Sequence, residues 1–125
     1  MRRKRILFID DEEIVREALS EVIESIGYDV TVEETGEAGI KAFVSNPDEF
    51  DLVLTDLMML DLKGDVIAER VRTIRPDVPV VLMTGTPQYL RRDDAVAAGV
   101  CRVLDKPLTR AELSEEIQCA LSRHS

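Results

Sequence analysis

The sequence predicts an α/β fold: one five-stranded parallel sheet, in the strand order 2-1-3-4-5, between two layers of helices. Short apolar runs alternate with helical patterns five times along the chain. Two of these runs, at 6–9 and 52–54, are continuously apolar, which is typical of parallel strands covered on both faces. Strict alternation of strand and helix implies right-handed crossovers and helices on both sides of the sheet. In this order, strands one and three flank a crevice at their carboxyl ends.

The predicted elements cover nearly the whole chain. The strands are expected at 6–9, 28–32, 50–56, 78–83 and 101–104, and the helices at about 13–26, 36–45, 65–74, 88–98 and from 109 onwards.

In the first half of the chain, periodicity and end signals define the elements. The helix at 13–26 has apolar residues every three or four positions, acids in its first turn and Gly27 at its end. In the next strand Val30 and Val32 alternate with polar residues, which predicts an edge strand with one wetter face. The second helix ends before Asn46-Pro47.

In the second half, each strand ends in a polar residue. The third strand ends at Asp56 and the fourth at Thr84. The fourth predicted helix ends at Gly99. Thr109 is a predicted N-cap for the last helix, with Glu112 as its capping-box partner.

Composition limits the classes of protein to consider. A chain of 125 residues with 45% apolar content suits one domain, which we expect to span 1–125. Its apolar runs are too short to cross a bilayer or to form a signal peptide, so we expect no membrane contact. A net charge of −9 disfavours nucleic acid as a direct partner. Cys101 and Cys119 lack metal-type spacing, which indicates apolar fillers in a reduced, cytoplasmic chain.

Polar side chains gather at the predicted strand ends. Strand one is followed by Asp10-Asp11, and the later strands end at Asp56, Thr84 and just before Lys106. Parallel strands end on the same rim, so we expect these side chains to meet. Three carboxylates in one pocket repel each other and raise some pKa values unless a cation lies among them. An oxygen-only site suits a hard divalent ion, and Mg²⁺ is the natural choice.

A magnesium site beside a lysine and a hydroxyl suits phosphoryl transfer. The cations neutralise phosphoryl oxygens, the hydroxyl donates a hydrogen bond, and a carboxylate can be the nucleophile. Each residue also has a structural explanation: Asp10 and Asp11 as helix-capping acids, Thr84 as a turn residue, Lys106 as a surface charge before proline. Their expected convergence on one rim favours the functional interpretation.

These residues stand in motifs that resemble the receiver domain of two-component response regulators over essentially the whole length of the chain. The motifs are Ile-Asp10-Asp11-Glu, Leu-Thr-Asp56-Leu-Met-Met followed by Gly64, Met83-Thr84-Gly85, and Lys106-Pro107-Leu. The resemblance implies that Thr84 bonds the phosphoryl group, that Lys106 pairs with it and that the Lys106–Pro107 peptide is cis.

The resemblance also implies the acceptor and the metal ligands. Asp56 would receive the phosphoryl group from a sensor histidine kinase or a histidine phosphotransfer domain. Asp11 and Asp56 would bind Mg²⁺ directly, with the backbone carbonyl of Met58, and Asp10 would act mostly through water. The chain would catalyse its own phosphorylation, not multiple turnover, and would change the face formed by helix four, strand five and helix five.

Three departures from the family pattern have predicted consequences. Leu60 replaces the usual proline, so the loop after Asp56 is expected to be less rigid. Val103 replaces the usual Tyr or Phe, so an aromatic rotamer cannot report a shift at Thr84. Met58 and Thr86 are neither acids nor amides that would position an attacking water, which predicts slow self-hydrolysis of the phosphate.

Three other kinds of protein share some of these features. A flavodoxin-like carrier shares the topology, but the acids at 10–13 would repel a flavin phosphate. A phosphatase of the haloacid dehalogenase type needs a general acid two residues after its nucleophile, where this chain has Met58. A phosphate-independent docking module would not need the acceptor set.

The predicted context is a monomer or weak dimer with no effector domain after the last helix. A free-standing receiver and a receiver from a larger protein both fit. The sequences around Thr84 and Lys106 are similar to those of receivers at the C-terminus of hybrid sensor kinases. A hybrid kinase is therefore one expected parent protein, beside a free-standing receiver.

Overall fold

The computed structural model describes residues 3–85 and 99–123. Its strands are β1 (Arg5–Ile9), β2 (Asp29–Glu33), β3 (Leu52–Asp56), β4 (Val80–Thr84) and β5 (Arg102–Asp105). Its helices are α1 (Glu13–Ile26), α2 (Gly36–Ser45), α3 (Gly64–Ile74) and the C-terminal helix (Arg110–Arg123), with a 3₁₀ turn at Pro47–Glu49. The helix predicted at 88–98 and the residue Thr86 lie outside the described residues.

The sheet has the predicted order and direction. Its five strands lie in the order β2-β1-β3-β4-β5, and every neighbouring pair is parallel. Ile9 is in register with Thr55, Asp56 with Met83, and Thr84 with Asp105. The carboxyl ends of β1, β3, β4 and β5 therefore lie along one rim.

Two apolar layers cover the sheet. Leu7 and Ile9 pack in one layer with residues of α2 and α3, while Ile6 and Phe8 pack in the other with residues of α1 and the C-terminal helix. Every residue of β3 and β4 is buried, including the polar residues Thr55, Asp56 and Thr84, because both faces of a central parallel strand are covered.

Strand β2 lies at the edge of the sheet, as predicted. All five of its residues are partly buried; Val30 and Val32 pack against the layer that contains Ile6 and Phe8, while the Asp29 side chain is 38% exposed.

Several end signals act as predicted. Gly27 ends α1 with a φ of 123°, a left-handed conformation that favours glycine. Thr109 N–H donates to Glu112 Oε1, and Glu112 N–H donates to Thr109 Oγ1, both at 3.1 Å. This is the predicted capping box. The Lys106–Pro107 peptide is cis, as the family resemblance implies.

Some details differ from the sequence-based prediction. Strand β4 begins at Val80, two residues later than predicted, after Pro79, which has no N–H to donate to a ladder. Both cysteines are free and partly buried, and Cys101 packs against the layer that contains Ile6 and Phe8, as expected of an apolar filler. Among the described residues, no helix is long and apolar enough to span a bilayer.

Candidate functional site

Three carboxylates converge on the rim of the sheet. Asp10 follows β1, Glu12 precedes α1 and Asp56 ends β3, and one oxygen from each lies within 4.8 Å of the others. Asp10 is fully buried and Asp56 is 6% exposed, whereas Glu12 is exposed. The rim therefore concentrates negative charge in a partly enclosed position.

Asp10 holds an oxygen that lacks a hydrogen-bond donor. Its Oδ1 accepts from Glu12 N–H at 2.9 Å, but its buried Oδ2 accepts no hydrogen bond within the described part of the chain. Burial raises the pKa of Asp10; the charges of Asp56 and Glu12 add to this, while the Glu12 N–H and Lys106 oppose it. A buried carboxylate oxygen that accepts no hydrogen bond is well suited to lie beside a bound cation.

Lys106 supplies positive charge to the same cluster. Its Nζ donates to Asp56 Oδ2 at 2.8 Å and lies 3.5 Å from Asp10 Oδ2. Burial lowers the pKa of Lys106, but the hydrogen bond to Asp56 and the charges of Asp10, Asp56 and Glu12 together raise it above its usual value. The amine thus stays charged at neutral pH and faces the Asp56 carboxylate.

Thr84 is joined to Lys106 through the backbone. It is the last residue of β4 and is fully buried. Its carbonyl oxygen accepts from Lys106 N–H at 2.8 Å. A displacement of Thr84 would consequently be felt at the lysine that pairs with Asp56.

Asp11 and Met58, the other predicted metal ligands, lie at the edge of the cluster. Asp11 Oδ2 accepts from Leu60 N–H at 2.9 Å, and the Asp11 carboxylate is not one of the three that converge within 4.8 Å. Met58 N–H donates to Asp56 Oδ1 at 3.4 Å, and Met58 is 49% exposed. Both residues belong to the junction between the acids and the loop after β3.

Gly64 brings the end of that loop back beneath Asp56. A Cβ on Gly64 would lie 2.7 Å from the carbonyl oxygen of Asp56 and 2.8 Å from a methyl group of Leu82. Only glycine allows this close approach, because those neighbours are backbone and buried core.

Two residues near the rim were not among the predicted site residues. Glu12 is not among the residues predicted to bind the metal, although the run Asp-Asp-Glu after a strand is a signal for a third acid at the rim. Asp61 accepts hydrogen bonds from the backbone of Gly36 and Glu37, which are 25 and 24 residues away. No local pattern signals that contact.

Comparison with known proteins identifies a family with these features. The family model described as the response regulator receiver domain matches residues 6–118. The response regulator receiver protein CpdR of Brucella abortus is 32% identical over 115 residues, which cover 92% of this chain and 94% of that protein.

A second relative is much longer than this chain. The 3′,5′-cyclic-nucleotide phosphodiesterase regA of Dictyostelium discoideum is 31% identical over 120 residues, or 94% of this chain. The matched region spans only 15% of the length of that protein.

A solved structure gives the same assignment in three dimensions. The response regulator protein TrrA of Thermotoga maritima, crystallised in complex with Mg(2+)-BeF, superposes with a TM-score of 0.84 at 32% identity. The match covers 94% of this chain and 98% of that one.

Proposed function

Because the chain belongs to the family of response regulator receiver domains of two-component systems, we propose that it accepts a phosphoryl group on Asp56. The observation that carries this proposal is the position of the Asp56 carboxylate. It lies at the rim of the sheet with 6% exposure, within 4.8 Å of the acids Asp10 and Glu12 and 2.8 Å from the Lys106 amine. Family membership leaves the flavodoxin-like and phosphatase alternatives without support.

The chain itself supplies most of what the transfer needs. A carboxylate oxygen of Asp56 attacks the phosphorus of the donor, a new O–P bond forms, and the bond to the leaving group breaks with its electron pair. A carboxylate is a modest nucleophile, so positioning and charge neutralisation dominate the rate. Lys106 would pair with the transferred group, and Thr84 would donate a hydrogen bond to it.

The acid cluster fits a hard divalent cation, and we assign it to Mg²⁺. The buried Oδ2 of Asp10 supports this. Among the described residues it accepts no hydrogen bond, and the Lys106 amine, 3.5 Å away, is shared with Asp56, so a bound cation would lower the cost of burying this charge. Asp11, Asp56 and the carbonyl of Met58 would hold the ion directly, and Asp10 would act through water. When bound, Mg²⁺ would neutralise charge on the phosphoryl oxygens.

The surface beside Lys106 suits a protein donor. An apolar groove of about 250 Å³ runs between α1 and the segment after β5, and its lining includes Ile14, Ala18, Pro107 and Leu108. Ile14 is 83% exposed, which favours burial against a partner. We propose that the donor is a sensor histidine kinase or a histidine phosphotransfer domain.

Phosphorylation would be transmitted through β5 and the C-terminal helix. Val103, in β5, is 37% exposed, and no aromatic ring occupies its position. The backbone bond from Lys106 to Thr84 is therefore the proposed route, together with the segment at 86–98, which lies outside the described residues.

Acetyl phosphate provides a kinase-free test. We expect intact-mass measurement to show one added phosphoryl group on the wild-type protein, with acetate as the leaving group. Asp56→Asn keeps the side-chain shape but removes the nucleophile, so it should show no uptake.

Asp105→Asn is the matched control, because Asp105 also ends a strand on this rim and is exposed. It should be labelled like the wild type. Undiminished labelling of Asp56→Asn, or equal labelling in excess chelator, would overturn the assignment of the acceptor or of the metal.

A further inference from the structure

The loop between β3 and α3, residues 57–63, is only partly held by apolar burial. Leu57 and Met59 are buried, but Met58 is 49% and Leu60 is 97% exposed. Leu60 nevertheless contributes to the site, because its N–H donates to Asp11 Oδ2 at 2.9 Å. Polar contacts must therefore keep this exposed part of the loop in place.

Asp61 makes those polar contacts with another element. Its Oδ1 accepts from Gly36 N–H at 3.0 Å and from Leu62 N–H at 2.9 Å, while its Oδ2 accepts from Glu37 N–H at 2.9 Å. Burial raises the pKa of Asp61, but these backbone N–H groups together outweigh it and hold the pKa below its usual value. The carboxylate is thus charged while it joins the loop to the start of α2.

The contact accounts for the first N–H groups of α2. Ala38 N–H donates to Thr35 Oγ1 at 3.0 Å, and Gly39 N–H donates to the Thr35 carbonyl at 2.9 Å. Asp61 accepts hydrogen bonds from the other two N–H groups of the first turn, those of Gly36 and Glu37. The helix start is complete only with a side chain from the loop.

The two segments also touch closely through carbon atoms. A Cβ on Gly36 would lie 3.0 Å from Leu62 Cβ, 3.1 Å from Ile67 Cδ1 and 3.2 Å from Asp61 Oδ1. Even a methyl group there would push the loop outwards by a few tenths of an ångström. The approach to Leu62 involves carbon atoms and none of the Asp61 hydrogen bonds, and it brings the same two segments together.

We propose that Asp61 is a positioning residue: it clamps the loop to α2 and so holds the Leu60 amide against Asp11. The donor is a backbone N–H, which only proline lacks, so the bond requires a residue other than proline at position 60. The clamp does not depend on the proposed function, whereas its effect on magnesium binding rests on that function.

Amide hydrogen exchange of the metal-free protein tests the structural part. Asp61→Ala should speed exchange at Gly36 and Glu37, which lose their acceptor, and also at Leu60, which Asp61 does not contact directly. Thr35→Ala is the matched control: it removes a cap from the same helix and should speed exchange at Ala38 without changing Leu60. An unchanged Leu60 in Asp61→Ala would overturn the clamp.

Calorimetric titration with MgCl₂ tests the consequence for the site. Asp61→Ala should weaken magnesium binding by about tenfold, the lower end of what loss of an outer-shell partner costs. Asp61→Asn keeps Oδ1 but not the second acceptor oxygen, so its affinity should be intermediate. Thr35→Ala should bind like the wild type.

The outcomes separate the two proposals. Equal weakening in Asp61→Ala and Thr35→Ala would mean that only helix stability matters, and would overturn the positioning role. If the wild type bound no Mg²⁺, the proposed metal site would fail, while the exchange experiment would still decide the clamp. If Asp61→Ala does not fold, Gly36→Ala provides the same test, since it displaces the loop from the opposite side of the contact.

Discussion

Asp10 places an ionisable side chain in a buried position that disfavours its charged form. It is fully buried, its Oδ2 accepts no hydrogen bond among the described residues, and two other acids lie beside it. Lys106, at 3.5 Å, offsets only part of this cost, because it also bonds Asp56 at 2.8 Å. A residue that weakens the metal-free fold yet faces the proposed cation is best explained by binding.

We therefore expect Asp10→Asn to stabilise the metal-free protein. Burial raises the pKa of Asp10, so folding disfavours its charged form relative to the unfolded chain. The substitution removes that charge and keeps the Oδ1 acceptor for Glu12 N–H. The free energy of unfolding should rise by about 1 kcal/mol, the usual size of a single-substitution effect. Urea unfolding in chelator measures it.

Asp10→Asn should at the same time lose most of the stabilisation by Mg²⁺. A metal-free stability equal to or below that of the wild type would contradict the explanation given for Asp10. Asp105→Asn, at an exposed position on the same rim, serves as the control.

Among the elements, the C-terminal helix shows how polar contacts orient an otherwise simple amphipathic segment. Leu113, Ile117 and Ala120 are buried against the sheet. Arg110 donates to Ser25 at the end of α1, and the Arg102 guanidinium in β5 pairs with Glu116. The first turn of the C-terminal helix is closed by the Thr109–Glu112 capping box. Because Glu112 is ionisable, this contact makes the stability of the helix depend on pH.

We expect Glu112→Ala to destabilise the fold in a pH-dependent way. The N–H and hydroxyl of Thr109 hold the pKa of Glu112 below its ordinary value of 4.5. The unfolded chain therefore binds this proton first as pH falls. The stabilisation is complete above pH 4.5 and is lost as pH falls through the lower folded-state pKa.

Urea unfolding across that range gives the measurement. The stability difference between wild type and Glu112→Ala should be constant near neutral pH and should shrink below pH 4.5. Glu112→Gln keeps a hydrogen-bond acceptor but has no group that titrates in this pH range. The stability difference between Glu112→Gln and Glu112→Ala should therefore not change with pH. If the stability difference between wild type and Glu112→Ala did not change with pH, the proposed role of the Glu112 charge would be refuted.

At the scale of the molecule, a rigid sheet presents its polar residues to one rim. Every residue of β3 and β4 is buried, which fixes Asp56 and Thr84 at the ends of central strands. The net charge of −9 adds to the attraction that the acid cluster exerts on cations. Metal binding should therefore depend on the folded arrangement and should stabilise it as a whole.

Magnesium should raise the free energy of unfolding of the entire domain. At about one hundred times its dissociation constant the ion should add about 2.7 kcal/mol, provided that only the folded state binds it. Thermal melts with and without Mg²⁺ measure the shift. Asp11→Ala should lose most of it, and an equal shift in that variant would remove Asp11 from the proposed ligand set.

Much of this architecture follows from local patterns in the chain. The apolar alternation predicted the five strands and their order, because burial on two faces and short crossovers leave few other arrangements. Helices α1 and α2 have the predicted bounds. The Thr109–Glu112 capping box could be predicted because its two residues are only three positions apart in the sequence. Asp56 was expected at the rim because a strand's end is a property of its own sequence.

Other features were decided only by contacts between distant segments. Glu12, not Asp11, joins Asp10 and Asp56 in the acid cluster, because Asp11 is drawn towards the Leu60 amide 49 residues away. Asp61 meets α2 across 25 residues, and replacing proline with Leu60, which was expected only to loosen the loop, provides a hydrogen-bond donor. Backbone periodicity specifies which residues reach the rim, but the direction of a side chain depends on which partners the folded chain brings beside it.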